Sequence, residues 1–291
     1  MKEEIFQSNS CHFWITDDRF DKIRLEIKVK EICFSGKSPF QKIEVFNTYE
    51  FGRVLVLGGV IVLAEKDEYI YHEMITHVPL FSHPKPENVL VIGGGDGGVV
   101  REVIKHKDVK QVTVIEIDKM VVEVSKKYFP ALSSGLGDKR IKIIYNDGSK
   151  YINEIKEKFD IILIDSYDPI GTMQHLTGKD FFEDIFDHLA DDGIMVTPSQ
   201  SPITNYNLVK KTFKGLSNIF PVSKLYLSYL PSSPFGMMSF IICSKKYDPR
   251  ENIIETKFDN FTAKYYNIDI HKASFSLPNF IKETMPEGEK S

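Results

Sequence analysis

Apolar and polar residues alternate along the first quarter of the chain with the two-residue period of half-buried strands. The runs "DKIRLEIKV", "FQKIEVFNT", "GRVLVL" and "GVIVLA", between residues 21 and 64, are separated by the turn-forming stretches "SGKSPF", "YEFG" and "GG". They predict a small antiparallel sheet. The period then lengthens: in "KDEYIYHEMITHVPLF" Ile70, Met74, Ile75 and Val78 fall on one face of a helix, and "HPKPEN" closes it.

From residue 88 onward short apolar runs alternate with helical patterns. "NVLVI", "QVTVIEID", "RIKIIYND", "FDIILIDSYDP" and "IMVTP" read as strands. Helices are expected through "GVVREVIKHK", "KMVVEVSKKYF", "KDFFEDIFDHLADDG" and "NYNLVKKTFKGLSNIF", and two last strands through "VSKLYLSYL" and "MMSFIICSK". This order predicts an α/β fold with a mostly parallel, doubly wound sheet. Ligands in such a sheet lie across the carboxyl ends of the strands, where the strand order reverses. Those ends are Gly93 to Gly98, Glu116 to Asp118, Asn146 to Gly148 and Asp165 to Asp168.

Composition narrows the partners. Hydrophobic residues make up 42% and charged residues 27%, an ordinary globular balance. The net charge of -4 comes with no basic run or basic amphipathic helix, so neither nucleic acid nor a membrane is an expected partner. No apolar run is long enough to span a bilayer, and residues 1–20 lack the apolar core of a signal peptide. Cys11, Cys33 and Cys243 are odd in number, far apart and without CxxC spacing, which disfavours a disulfide framework or a zinc site. A cytoplasmic protein is expected.

The candidate chemistry lies at the strand ends. "NVLVIGGGDGGVVREV" places Gly93, Gly95 and Gly98 in GxGxxG spacing after a strand and before a helix, the fingerprint of a dinucleotide loop. Asp96 contradicts that reading. A pyrophosphate beside it would meet repulsion of roughly 4 kcal/mol at 4 Å and an effective dielectric near 20. A nucleoside carrying a sulfonium or an ammonium has the opposite sign and would gain from the same carboxylate. Glu116 stands 21 residues after Gly95, where a carboxylate can accept hydrogen bonds from ribose hydroxyls. Together they favour an S-adenosyl compound, with the glycines admitting it close to the backbone.

"ILIDSYDP" ends the fourth strand with Asp165 and Asp168, three residues apart in a turn fixed by Pro169. The pair could bind a metal, but Mg²⁺ carboxylates usually accompany phosphates, which Asp96 disfavours. It could also hold the ammonium groups of an amine. A carboxylate beside a buried ammonium can take its proton while the freed lone pair displaces a carbon next to sulfonium. Asp165 is the candidate for that step. "HEMITH" at 72–77 resembles a zinc-protease helix, but an offset of five turns His77 about 140° from His72. No metal is expected, and without GxSxG no hydrolytic triad is supported.

Taken in order, "SPFQKIEVF", "EYIYHEM", "VLVIGGGDGGVVREV", "VIEID", "YNDG" and "IDSYDP" give the chain a sequence that resembles the spermidine synthase family of polyamine aminopropyltransferases, from roughly residue 12 to 282. The resemblance implies a Rossmann-like, methyltransferase-type sheet behind a small N-terminal β domain, in a homodimer or homotetramer. It implies transfer of the aminopropyl group of decarboxylated S-adenosylmethionine to a polyamine such as putrescine, release of methylthioadenosine, and no cofactor beyond that co-substrate. Carried over by motif, Gln41, Glu116, Asp147 and Gly148 contact the adenosine part and Asp96 receives the aminopropyl ammonium. Asp165 is the proton acceptor, with Tyr71, His72 and Asp168 around the amine. The expected division is 1–65 for the β domain, 66–87 for helix and linker and 88–250 for the catalytic domain. Residues 251–291 form a segment packed on the body, disordered over its closing "PEGEKS".

Some positions depart from the family pattern. Gly58 and Val62 replace an Asp and a Gln, Thr172 follows Gly171 where a GP pair is usual, Pro198 stands for a Gln and Ser233 for a Tyr. The donor side is intact, whereas polar groups for the far end of a short diamine are missing, so the acceptor could be a longer or bulkier amine. Two other readings remain: a related transferase using intact S-adenosylmethionine, whose extra carboxylate Asp96 opposes, and a catalytically silent polyamine- or nucleoside-binding protein.

Overall fold

The computed structural model describes residues 13–17, 19, 23–166 and 178–283. Asp168, Thr172, Cys11 and the closing "PEGEKS" lie outside the described residues. The chain divides into two compact units, 1–66 and 67–291.

The first unit is a five-stranded antiparallel sheet in chain order: β1 (Phe13–Asp17), β2 (Leu25–Lys37), β3 (Lys42–Thr48), β4 (Arg53–Leu57) and β5 (Val60–Ala64). Ile27, Val29, Phe46, Val54, Val56 and Ile61 form its core. β1 lies outside the expected strands because its pattern is inverted. Phe13 and Trp14 are exposed while Asp17 is buried, accepting from the Ile61 N–H at 3.2 Å and pairing with Arg19. β2 runs through "SGK", which reads as a turn. The turn itself is only Ser38 to Gln41, closed by Ser38 N–H to Gln41 O at 2.9 Å.

In the second unit, α1 (Glu68–Ser82) precedes β6 (Asn88–Gly93), α2 (Gly98–Val103), β7 (Gln111–Glu116), α3 (Lys119–Tyr128), β8 (Ile141–Tyr145), α4 (Gly148–Glu154) and β9 (Phe159–Asp165). After these come α5 (Lys179–His188), β10 (Leu189–Ser199), α6 (Tyr206–Ser217), β11 (Val222–Tyr229), β12 (Met237–Ser244), α7 (Ile268–Ser274) and α8 (Asn279–Lys282). The strand order is β11-β12-β10-β9-β6-β7-β8. β8, β7, β6, β9 and β10 are parallel, and β12 runs antiparallel to both β10 and β11.

Both faces of this sheet are covered, which is why its strands read as unbroken apolar runs. Val89, Val91, Leu163 and Val196 point to the α1 side; Leu90, Ile92, Ile162 and Ile164 point to the side holding α5 and α6. The order reverses between β6 and β9, so their carboxyl ends open the crevice where such sheets bind ligands.

Two helical expectations need correction, and one helix, α4, is unexpected. α5 stops at His188, and "LADDG" opens β10 with a register shift between Leu189 and Ile194. α4 is too short to show a period, and its signal is the cap: Asp147 accepts from the Ser149 N–H at 2.9 Å. α1 is buried nearly all round rather than on one face. Its polar side meets the C-terminal segment, where the Glu73 carboxylate accepts the N–H groups of Lys264, Tyr265 and Tyr266 at 2.7, 2.7 and 2.8 Å. Phe258, Phe261, Tyr265 and Tyr266 pack there with the α1 core.

Candidate active site

The glycine loop leaves β6 beside the end of β9, with Gly93 paired to Asp165 across the reversal. Gly93 has φ +88°, and a Cβ there would fall on the Asp165 carbonyl oxygen, so glycine is required twice over. The other fingerprint glycines also leave room for the protein's own side chains. A Cβ on Gly95 would lie 2.6 Å from Glu116 Oε2, and one on Gly98 would fall on the His72 ring. Their bareness lets the protein's own side chains close on the loop.

Glu116 ends β7 and is buried, its two oxygens accepting from Gly95 N–H at 3.0 Å and Asp118 N–H at 2.8 Å. Burial nevertheless pushes its carboxyl up to about 7. Each oxygen keeps a second lone pair, the capacity that ribose hydroxyls would use. Asp147 sits at the end of the neighbouring strand as the cap of α4, accepting from Ser149 N–H and Oγ, both at 2.9 Å. Gly148 is the first residue of that helix.

Asp96 accepts from Gly98 N–H at 2.7 Å, and its Oδ2 is 3.6 Å from His72 Nε2. Burial alone would raise its carboxyl, but the His72 charge, that N–H and Arg101 hold it below the usual range. Asp165 is the opposite case. Burial and the neighbouring Asp96 charge push it up to about 7, against the lowering influence of His72 and of the Tyr71 hydroxyl, which donates to Oδ1 at 2.9 Å. Tyr71 is wedged edge-on against His72 and tilted on Phe240, with ring centroids 5.3 and 5.4 Å away. Two carboxylates at adjacent strand ends, one a lasting anion and one titrating near neutrality, suit a site that binds one cation and deprotonates another.

One nitrogen of His72 and one carboxylate oxygen each of Asp96 and Asp165 converge within 4.8 Å. Both nitrogens of His72 face carboxylates, Glu68 on one side and Asp96 on the other, which favours the doubly protonated ring. Its pKa is accordingly held well above the ordinary value, although burial works in the other direction.

Asp96, Glu116, Asp147, Gly148, Asp165, Tyr71 and His72 thus belong to the carboxyl-end side of one sheet. Gln41 belongs to the first unit, at the turn into β3. Of the departing positions, Gly58 turns between β4 and β5 with φ +58° and Val62 lies on β5. Pro198 stands on β10 opposite Phe240, beyond the last registered pair with β9, and Ser233 closes the β11–β12 turn on Leu230 O. Sequence reasoning missed Glu68 and Arg101. Glu68 Oε2 is 2.6 Å from His72 Nδ1, and Arg101 donates to both Glu68 oxygens at 2.9 Å. The available signal was the four-residue spacing of Glu68 and His72 on one helix.

Known proteins resemble this chain over most of its length. Residues 68–253 match the model of the spermine/spermidine synthase domain, and residues 13–65 that of the spermidine synthase tetramerisation domain. A polyamine aminopropyltransferase of Thermoanaerobacter pseudethanolicus is 44% identical over 94% of this chain and 99% of its own. One from Methanocaldococcus jannaschii is 42% identical over 94% and 96%. A spermidine synthase crystallised with the transition-state analogue AdoDATO superposes with a TM-score of 0.90 at 37% identity, covering 94% of both chains. The Thermotoga maritima spermidine synthase gives 0.87 at 36% over the same shares.

Proposed function

We propose that this chain, which belongs to the spermine/spermidine synthase family, is the transferase that moves the aminopropyl group of decarboxylated S-adenosylmethionine to a polyamine. The observation that carries the reading is the Asp96–Asp165 pair: neighbouring, partly buried carboxylates across the strand reversal, shifted in opposite directions.

In this reading Glu116, with Asp147 and Gly148, receives the adenosine part, and Asp96 receives the donor's ammonium. The acceptor ammonium, bordered by Tyr71, His72 and Asp168, gives a proton to Asp165. Its nitrogen lone pair then forms the new C–N bond while the C–S bond breaks. Sulfur keeps that electron pair, turning from sulfonium into the thioether of methylthioadenosine. Tyr71, bonded to Oδ1, fixes the carboxylate so that Oδ2 faces the amine. No step requires a metal. Among the described residues no helix is long and apolar enough to cross a membrane. A homotetramer accords with the matched tetramerisation domain.

The test is to supply decarboxylated or intact S-adenosylmethionine with putrescine, cadaverine, agmatine, spermidine and longer amines, following methylthioadenosine by mass spectrometry. Turnover with the decarboxylated donor and at least one amine is expected. Turnover only with the intact donor would replace the reading by a related transferase, and no turnover at all would leave a binding protein.

A further inference from the structure

We propose that Glu68 is a positioning residue of the transfer site, which holds His72 as a fixed cation between Asp96 and Asp165. The inference rests on the reading of Asp165 as proton acceptor and adds what makes that reading electrostatically workable. Asp96 and Asp165 lie close enough for one His72 nitrogen to converge with both. Two such anions facing each other would favour sharing a proton, as in carboxylate dyads, and neither would then serve as a lasting anion.

The groups around His72 show how this is avoided. Glu68, one turn earlier on α1, faces Nδ1 at 2.6 Å; Asp96 in the loop faces Nε2 at 3.6 Å; Asp165 lies beyond it on β9. The edge of Tyr71 and the bare Cα of Gly98 close the remaining sides. Glu68 is itself held from behind. Arg101 grips both its oxygens and donates through Nε to Glu102 Oε1 at 2.7 Å. Glu102 in turn meets His77 at 3.0 Å and the Lys105 ammonium. His72, His77 and Glu102 are buried and Glu68 and Arg101 half-buried between α1 and α2, so Glu68 cannot swing away from His72 without unpairing Arg101.

A fixed imidazolium keeps Asp96 ionised and limits how far Asp165 rises. Removing the Glu68 charge while keeping a hydrogen-bond acceptor should let His72 lose its proton near neutrality, and both carboxyls should then climb. The effect must pass through His72, which separates positioning from plain packing.

The experiment is a double-mutant cycle of Glu68→Gln and His72→Gln, reading the pH dependence of kcat/KM, together with NMR titration of ¹⁵N-labelled histidine in the substrate-free wild-type protein. In wild type, His72 should keep both nitrogens protonated beyond pH 8. Glu68→Gln should move the acid limb up by about one pH unit, roughly a tenfold loss of kcat/KM below the limb, and Glu68→Asp should restore most of it. In the His72→Gln background, Glu68→Gln should shift the limb no further. A neutral His72 at pH 7 in wild type, or an equal Glu68→Gln shift with and without His72, overturns the inference. The NMR titration needs no altered protein and no turnover, so it decides even where a variant does not fold. Persistence of the wild-type limb in an Asp165→Asn enzyme that still turns over within tenfold would instead overturn the reading of Asp165.

Discussion

The end of β6 and the end of β9 lie side by side and each carries an aspartate, yet the two sites behave in opposite ways. Asp96 accepts a backbone N–H and faces an imidazolium, so it stays ionised despite burial. Asp165 accepts a neutral hydroxyl, and burial and a like charge outweigh the nearby His72, so its proton leaves only near pH 7. Residue type did not decide these roles; the neighbours did. A lasting anion suits a lasting cation, the donor's aminopropyl ammonium, whereas a carboxylate titrating near neutrality suits an amine that must give up a proton.

Exchanging or removing either half should break this contrast. Asp165→Asn removes the base and is expected to lower kcat about 10³-fold with much smaller change in donor binding, measured by steady-state kinetics and calorimetry; survival of turnover within tenfold contradicts the assignment. Asp96→Asn should weaken decarboxylated S-adenosylmethionine by about 2 kcal/mol, near thirtyfold, the scale of a charge-assisted contact. Methylthioadenosine, which lacks the ammonium, should lose little, and equal losses by calorimetry would refute the charge argument. Tyr71→Phe should be milder: losing the hydroxyl raises the Asp165 carboxyl further, so the acid limb of kcat/KM moves above about 7. A limb that stays in place would mean the hydroxyl does not act on that carboxylate.

The smallest effect concerns stability. Asp165 has a folded-state pKa raised above the ordinary 3.8, so the folded protein holds that proton more tightly than the unfolded chain between 3.8 and about 7. Its ionisation therefore costs stability progressively as pH rises through this window, with the cost complete above the folded pKa. Asp165→Asn should raise the ligand-free Tm at pH 8 by a few degrees and leave it nearly unchanged at pH 4; the same gain at both pH values would point to packing instead.

The contrast was partly legible in the chain alone. Asp96, Glu116 and Asp165 stand directly after apolar runs, and a parallel sheet brings such run ends together. The doubly wound order followed from the same runs. What could not be read were pairings that depend on the approach of distant helices. Arg101 meets Glu68 only because α1 lies against α2, and the reason for Gly98 appears only when the His72 ring occupies the place of its missing Cβ. Asp147 belongs to the pattern of strand-end acids, but its visible work is capping α4, a helix too short to announce itself. β1 escaped because one of its two buried residues is an aspartate while two aromatics, Phe13 and Trp14, are exposed.

Glu73 has a consequence for how the molecule is made. Its carboxylate, sealed inside α1, finds its backbone donors 191 to 193 residues later in the chain. A ribosome that has synthesised the whole sheet has still not supplied those donors. Until Lys264 to Tyr266 emerge, the Glu73 side of α1 keeps its water instead of those donors, so this closure of the second unit waits until that segment has been made.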